Sequence, residues 1–177
     1  MKNVLASFML MAVWQTATLA AQSGSEESVM TFDLDAFQLS VLAEEQPDSA
    51  HPGAVNAFLL RMPDKTILVD AGYGRKLFDH LQSLELSPED IDLVLLTQMQ
   101  GEHIGGLLRA EAIAFPKAEL YLSQPEYDYW MSEQTMQAAP ERRNAFLQAR
   151  EVIAAYKDKL HLFLPGELGA EGAEKPQ

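Results

Sequence analysis

Residues 29–46, VMTFDLDAFQLSVLAEEQ, set apolar side chains at Phe32, Leu34, Phe37, Leu39 and Val41. That near period-two spacing sends neighbouring side chains to opposite faces and predicts a strand or hairpin. PDSAHPGA then breaks the pattern and reads as a loop. NAFLLRM and TILVD flank Pro63-Asp64-Lys65 and predict two antiparallel strands joined by a short turn.

From there the period changes. In GRKLFDHLQSL, Leu77, Phe78, Leu81 and Leu84 recur at helical spacing. SPED starts a second helix, with Ser87 as N-cap, Pro88 at N1 and Asp90 at N3. That helix must be brief, because IDLVLLT is a continuous apolar run of the kind a buried strand shows. GGLLRAEAIAF predicts another short helix and AELYLS another strand. PERRNAFLQAREVIAAYKDKL predicts an amphipathic helix with Phe146, Ala149, Ile153, Tyr156 and Leu160 on one face, and HLFL a final strand. Strands first and helix–strand alternation afterwards predict an α/β (α+β layered) domain over residues 29–165, with helices covering at least one sheet face.

The flanks are of a different kind. MKNVLASFMLMAVWQTATLA carries Lys2, an apolar run from Val4 to Val13, and small residues at Thr18, Ala20 and Ala21. Residues 1–20 therefore read as a secretory signal peptide and predict a periplasmic or secreted protein, an uncleaved anchor being the alternative. The apolar run is too short for a comfortable membrane span, so no membrane association is expected after signal removal. AQSGSEES, 21–28, is a polar linker, and residues 166–177 form a tail with nothing to bury.

Charge narrows the partners. The 177 residues carry a net charge of −13, and losing the signal removes Lys2 and no acidic residue. Such a surface disfavours nucleic-acid backbone and anionic lipid. With no cysteine in the chain, a metal would have to use histidine, carboxylate or amide ligands.

Two stretches carry chemistry. TILVDAGYG ends a strand at Asp70 and enters a glycine turn, and LVLLTQMQGEHIGGL ends a strand at Thr97 before a polar turn and two glycines. Together they resemble the metallo-β-lactamase-fold hydrolases, whose signatures are Asp-x-Gly after a strand and, further on, Thr-His-x-His-x-Asp-His followed by Gly-Gly. PDKTILVDAGYG, LSPEDIDLVLLT and AELYLSQPEYDYW look like secreted members of that family, and the resemblance runs from Phe32 to Pro165.

The resemblance implies an αββα sandwich and zinc-activated water attacking an ester, lactone, amide or related bond of a small-molecule substrate. It makes Gln98, Gln100, Glu102 and His103 the metal positions, and Glu102 and Asp70 the candidate catalytic positions. Asp70 in the family orients a ligand histidine that is absent here. His103 alone matches. Gln98 and Gln100 replace two histidines, and an amide oxygen is a far weaker zinc ligand than imidazole. Glu102 replaces an aspartate and moves its carboxylate by ~1 Å, where ligand distances tolerate only ~0.2 Å.

The family's second half supplies another histidine, a bridging aspartate and a final histidine. Here the only later histidine is His161, in a strand-like context. The expectation is therefore the first half of the sandwich, with weak zinc binding or none and impaired or absent hydrolysis. The sheet face that normally meets the second sheet would favour a homodimer or a complementing chain. A non-catalytic binding or assembly module, or a truncated remnant, is the alternative. His51 reads as a loop residue and His80 as a polar helix position, while EYDYWM would either line a pocket or pack as core and rim. No GxSxG, P-loop or Ser/His/Asp arrangement is present.

Overall fold

The computed structural model describes residues 29–45 and 54–164. The expected signal peptide and linker, most of the PDSAHPGA stretch with His51, and the expected tail lie outside the described residues.

Strands β1 (Val29–Leu34) and β2 (Phe37–Glu45) form the hairpin that the alternation predicts, in register from Val29↔Leu42 to Leu34↔Phe37. Strands β3 (Ala54–Arg61) and β4 (Thr66–Val69) follow as a second antiparallel pair. Their Pro-Asp-Lys turn is closed by Met62 N–H donating to the Lys65 carbonyl at 2.9 Å. After helix α1 (Leu77–Ser83), Ser87 and Asp90 close a capping box around a single 3-10 turn, Pro88–Asp90. This delivers the chain to β5 (Leu93–Leu95), parallel to β4.

Beyond β5 come the one-turn helix α2 (Gly101–Ile104) and two short strands, β6 (Leu108–Arg109) and β7 (Ala112–Ile113). Strand β8 (Glu119–Ser123) leads into α3 (Gln124–Met131), α4 (Glu133–Ala138) and α5 (Arg143–Ala155), and β9 (Leu160–Phe163) ends the described chain. One seven-stranded sheet runs β1-β2-β3-β4-β5-β8-β9. Its first four strands are an antiparallel meander with short connections, and β4, β5, β8 and β9 are parallel, each crossover carrying helix.

Both faces of the sheet are apolar. Leu42, Leu59, Leu68, Val94, Leu120 and Leu122 face the helices and bury Leu77, Leu81, Phe146 and Val152 against them. On the opposite face Leu39, Val41, Phe58 and Leu60 form a second buried cluster with Phe37, Ile67 and Val69. Phe32 and Leu34 of β1 lie toward the solvent there. Among the described residues, no helix is long and apolar enough to cross a membrane.

Two expectations need correction. GGLLRAEAIAF forms no helix: β6 and β7 pair as a tight hairpin. Ala110 and Glu111 turn it at φ 47° and 66°, the doubly left-handed turn that matches strand twist. Leu107 and Phe115 are buried at its two ends, so packing overrides the helical preference of Leu, Ala and Glu. Leu160 belongs to β9, because α5 stops at Ala155. EYDYWM is helical and packs as core and rim, with Trp130 buried among Tyr129 and Phe146 and with Tyr129 and Met131 exposed.

His80 is no ordinary polar helix position. It is 4% exposed, and neither ring nitrogen finds a partner among the described residues. Burial, the largest influence, holds its pKa below the ordinary 6.5; Glu44 and Asp79 oppose that and Lys76 adds to it. The unfolded chain therefore binds this proton more tightly than the folded one. The corresponding stability is complete above 6.5 and is lost as the pH falls from there through the lower folded value. His80→Leu should flatten this acid-side loss at little cost near neutrality, since an apolar side chain of similar size leaves no buried nitrogen unsatisfied. Urea unfolding between about pH 5 and pH 7.5 on both proteins tests this; parallel pH profiles would contradict it.

Candidate functional site

The parallel strands β4, β5 and β8 end at one edge of the sheet, where ligand sites of α/β folds gather. Both sequence motifs converge there. Asp70 leaves β4 with φ 58°, and Gly72 and Gly74 follow at φ 58° and 75°. This tight turn lies directly against the glycines after α2. A Cβ on Gly74 would sit 2.6 Å from the Gly106 Cα, and one on Gly105 would sit 2.6 Å from the Tyr73 carbonyl oxygen. Gly105 N–H donates to the Gly72 carbonyl at 2.9 Å and Ala71 N–H to that of His103 at 2.7 Å. The glycines are required because the two turns touch backbone to backbone.

Asp70 is the centre of the arrangement. One carboxylate oxygen accepts the Thr97 backbone N–H at 2.9 Å. The other accepts the Thr97 hydroxyl at 2.6 Å and lies 2.8 Å from His103 Nδ1. A carboxylate only accepts, so the network assigns the proton of a neutral His103 to Nδ1 and leaves the lone pair on Nε2. Gln98 Nε2 lies 2.6 Å from that nitrogen and donates to it. Gln98 Oε1 in turn accepts from Gln100 Nε2 at 2.9 Å. The result is a one-directional relay, Gln100 to Gln98 to His103 to Asp70.

The predicted residues are thus brought together, with one correction. Asp70 does have a histidine to orient: it is His103, the one histidine of the motif still present. Glu102, in the first turn of α2, stays outside the relay and acts on His103 through its charge. Burial lowers the His103 pKa most strongly. The hydrogen bond and charge of Asp70, with the charges of Glu102 and Glu126, outweigh it and hold the imidazole above the ordinary 6.5. Among the described residues, no three histidine or acidic side chains converge as a metal-ligand set. His161 lies on β9, two strands from β5, stacked on Tyr121 and paired with Glu119 at 2.6 Å.

Two carboxylates escaped sequence reasoning. Glu126, at the start of α3, accepts the Met99 backbone N–H at 3.1 Å and Trp130 Nε1–H at 2.9 Å, clamping the turn between Gln98 and Gln100. Its i,i+4 spacing to Trp130 was the visible signal. Glu44, 3% exposed on β2, accepts backbone N–H groups from Tyr73, Lys76 and Leu77. Its position on the helix-facing alternation of β2, after Ser40 and Leu42, was the only hint.

Known proteins agree with this architecture. The Metallo-beta-lactamase superfamily matches residues 50–169. A stretch of 53 residues is 40% identical to Exodeoxyribonuclease WalJ of Streptococcus pneumoniae, covering 29% of this chain and 20% of that one. The hydrolase AbOPH of the beta lactamase superfamily superposes with a TM-score of 0.71 at 17% identity, over 81% of this chain and 63% of that one. AidC, a dizinc quorum-quenching lactonase, superposes with a TM-score of 0.68 at 21% identity, over 79% of this chain and 62% of AidC. The chain thus spans under two thirds of the length of each. With its mixed sheet, its helices on one face and the motif turns at the carboxyl edge, the chain belongs to the metallo-β-lactamase superfamily.

Proposed function

We propose that this chain carries the hydrolase fold with its metal turn rebuilt as a metal-free hydrogen-bond relay. Hydrolysis of ester, lactone or amide bonds by metal-activated water is then absent or very weak. The observation that carries this is the Gln98 amide 2.6 Å from His103 Nε2. A zinc ion needs that lone pair, and here it is already accepting a hydrogen bond.

The donor set does not fit zinc. Gln98 presents its N–H to the site and spends its oxygen on Gln100. The Asp70 carboxylate is taken up by Thr97 and His103. Among the described residues, that leaves this turn the Glu102 carboxylate and the Gln100 amide oxygen, too few and too weak for a four-coordinate ion with an open position.

With hydrolysis silenced, a binding or assembly role on the same scaffold follows, and Phe32 and Leu34 on the exposed end of the second face support association there. The net charge of −13 speaks against a nucleic-acid partner despite the short exodeoxyribonuclease match. Residues 1–20 support export to the periplasm or beyond the cell.

Metal analysis of the purified, dialysed protein tests the proposal. Zinc is expected far below one equivalent, with no chelator-sensitive turnover of ester or lactone substrates. Near-stoichiometric zinc with turnover that a chelator abolishes would overturn it. Changing Gln98→His, Gln100→His and Glu102→Asp together should raise zinc affinity more than about tenfold, or ~1.4 kcal/mol, in competition with a chromophoric chelator. Unchanged affinity would mean that the turn does not hold these positions in ligand geometry.

A further inference from the structure

We infer that Glu44 is the positioning residue of the site: its buried carboxylate ties the glycine turn to the start of α1 and thereby fixes the Asp70–His103 pair. Glu44 sits two strands away from β4 and at the far end of a different hairpin. One of its oxygens accepts Lys76 and Leu77 N–H at 2.9 and 3.0 Å. These are unpaired donors of the first helical turn, and capping them is an ordinary structural role. The other oxygen accepts Tyr73 N–H at 2.9 Å, and this bond is surplus to capping. Tyr73 lies inside the turn, between the two glycines.

From Tyr73 back to Asp70 each residue makes a main-chain hydrogen bond. Gly72 carries its carbonyl to Gly105, Ala71 gives its N–H to His103, and Asp70 gives its own to Leu95. Even a Cβ on Gly72 would come within 3.0 Å of the Glu44 carboxylate. A shift of Tyr73 therefore passes directly to the backbone that presents Asp70 and to the carbonyl of His103. A buried carboxylate is costly unless its lone pairs are filled. This one is filled by three backbone donors, two from the helix and one from the turn, so a single charge sets the spacing of both.

The inference rests on the hydrogen-bond relay proposed for this site, yet its test reads His103 directly, so it stands or falls separately from zinc binding and turnover. In Glu44→Gln the amide keeps the most acceptances by turning its oxygen to Lys76 and Leu77. Its NH₂ then faces Tyr73 N–H, donor against donor, and the turn is released while the cap survives.

The experiment is NMR of the full chain with ¹⁵N-labelled histidine, following the His103 Nδ1–H proton, assigned with His103→Gln. In Glu44→Gln this resonance should move upfield and its exchange with water should quicken about tenfold or more, while the α1 amides keep their protection. Leu81→Ala is the control: it empties a buried site in α1 and lowers stability without touching the turn, so the His103 resonance should stay where it is. Glu44→Asp, which keeps the charge but is too short to span both groups, should give a smaller upfield shift. If His103 is unmoved in Glu44→Gln while stability drops as in Leu81→Ala, Glu44 is a helix cap only. Should Glu44→Gln fail to fold, an unmoved His103 in Glu44→Asp overturns the inference equally.

Discussion

The hydrogen bonds converging on the Asp70 carboxylate are what the rest of the site depends on. They join the ends of two parallel strands, β4 and β5, through Thr97 and His103. Left-handed backbone at a non-glycine residue costs roughly 1–2 kcal/mol, and a buried carboxylate costs several more unless it is satisfied. Thr97 and His103 together supply the offset. Once Asp70 is fixed, the glycine turn has one place to go, against Gly105 and Gly106, and only residues without a Cβ fit there.

Such a centre can serve a metal or replace one. An imidazole whose Nδ1 proton is held by a carboxylate presents a well-oriented Nε2 lone pair, the arrangement metal sites use. Here a glutamine amide takes that lone pair, and a second glutamine takes the first one's oxygen. The polarity of the relay is uniform, so each bond supports the next. A proton on Nε2 would instead face an N–H donor, and accepting it would require the Gln98 amide to turn over. The charges of Asp70, Glu102 and Glu126 favour that proton while the amide opposes it. His103 and His80 also pull the pH dependence in opposite directions. His103 adds stability that is complete below 6.5 and is lost as the pH rises through its raised folded value, whereas His80 loses stability on acidification.

The scaffold holds this arrangement with charges placed outside the motif. Glu44 reaches the glycine turn from β2, and Glu126 reaches the glutamine turn from α3. Both accept main-chain N–H groups, so each acts on backbone position whatever side chains the turn carries. The Asp70–His103 pair and the glutamine turn are thus both held in place by carboxylates outside the motif.

The sequence by itself determined the local and patterned parts. Period-two alternation marked the β1–β2 hairpin, a continuous apolar run marked β5, and Ser87-Pro88 with Asp90 marked a turn that had to be short. The resemblance of the two motifs to the metallo-β-lactamase-fold hydrolases grouped Asp70, Gln98, Gln100, Glu102 and His103 as one site, and the two-residue spacing of Gln98 and Gln100 lets their side chains point to one side. Only tertiary structure decided the rest. Leu, Ala and Glu in residues 105–115 favour helix, yet burying Leu107 and Phe115 folds them into a hairpin. The Asp70–His103 pairing joins residues 33 apart, and Glu44 meets Tyr73 over 29. Such distances carry no periodic signal, since hydrogen bonds between remote segments are set by where packing brings the backbone and not by local spacing.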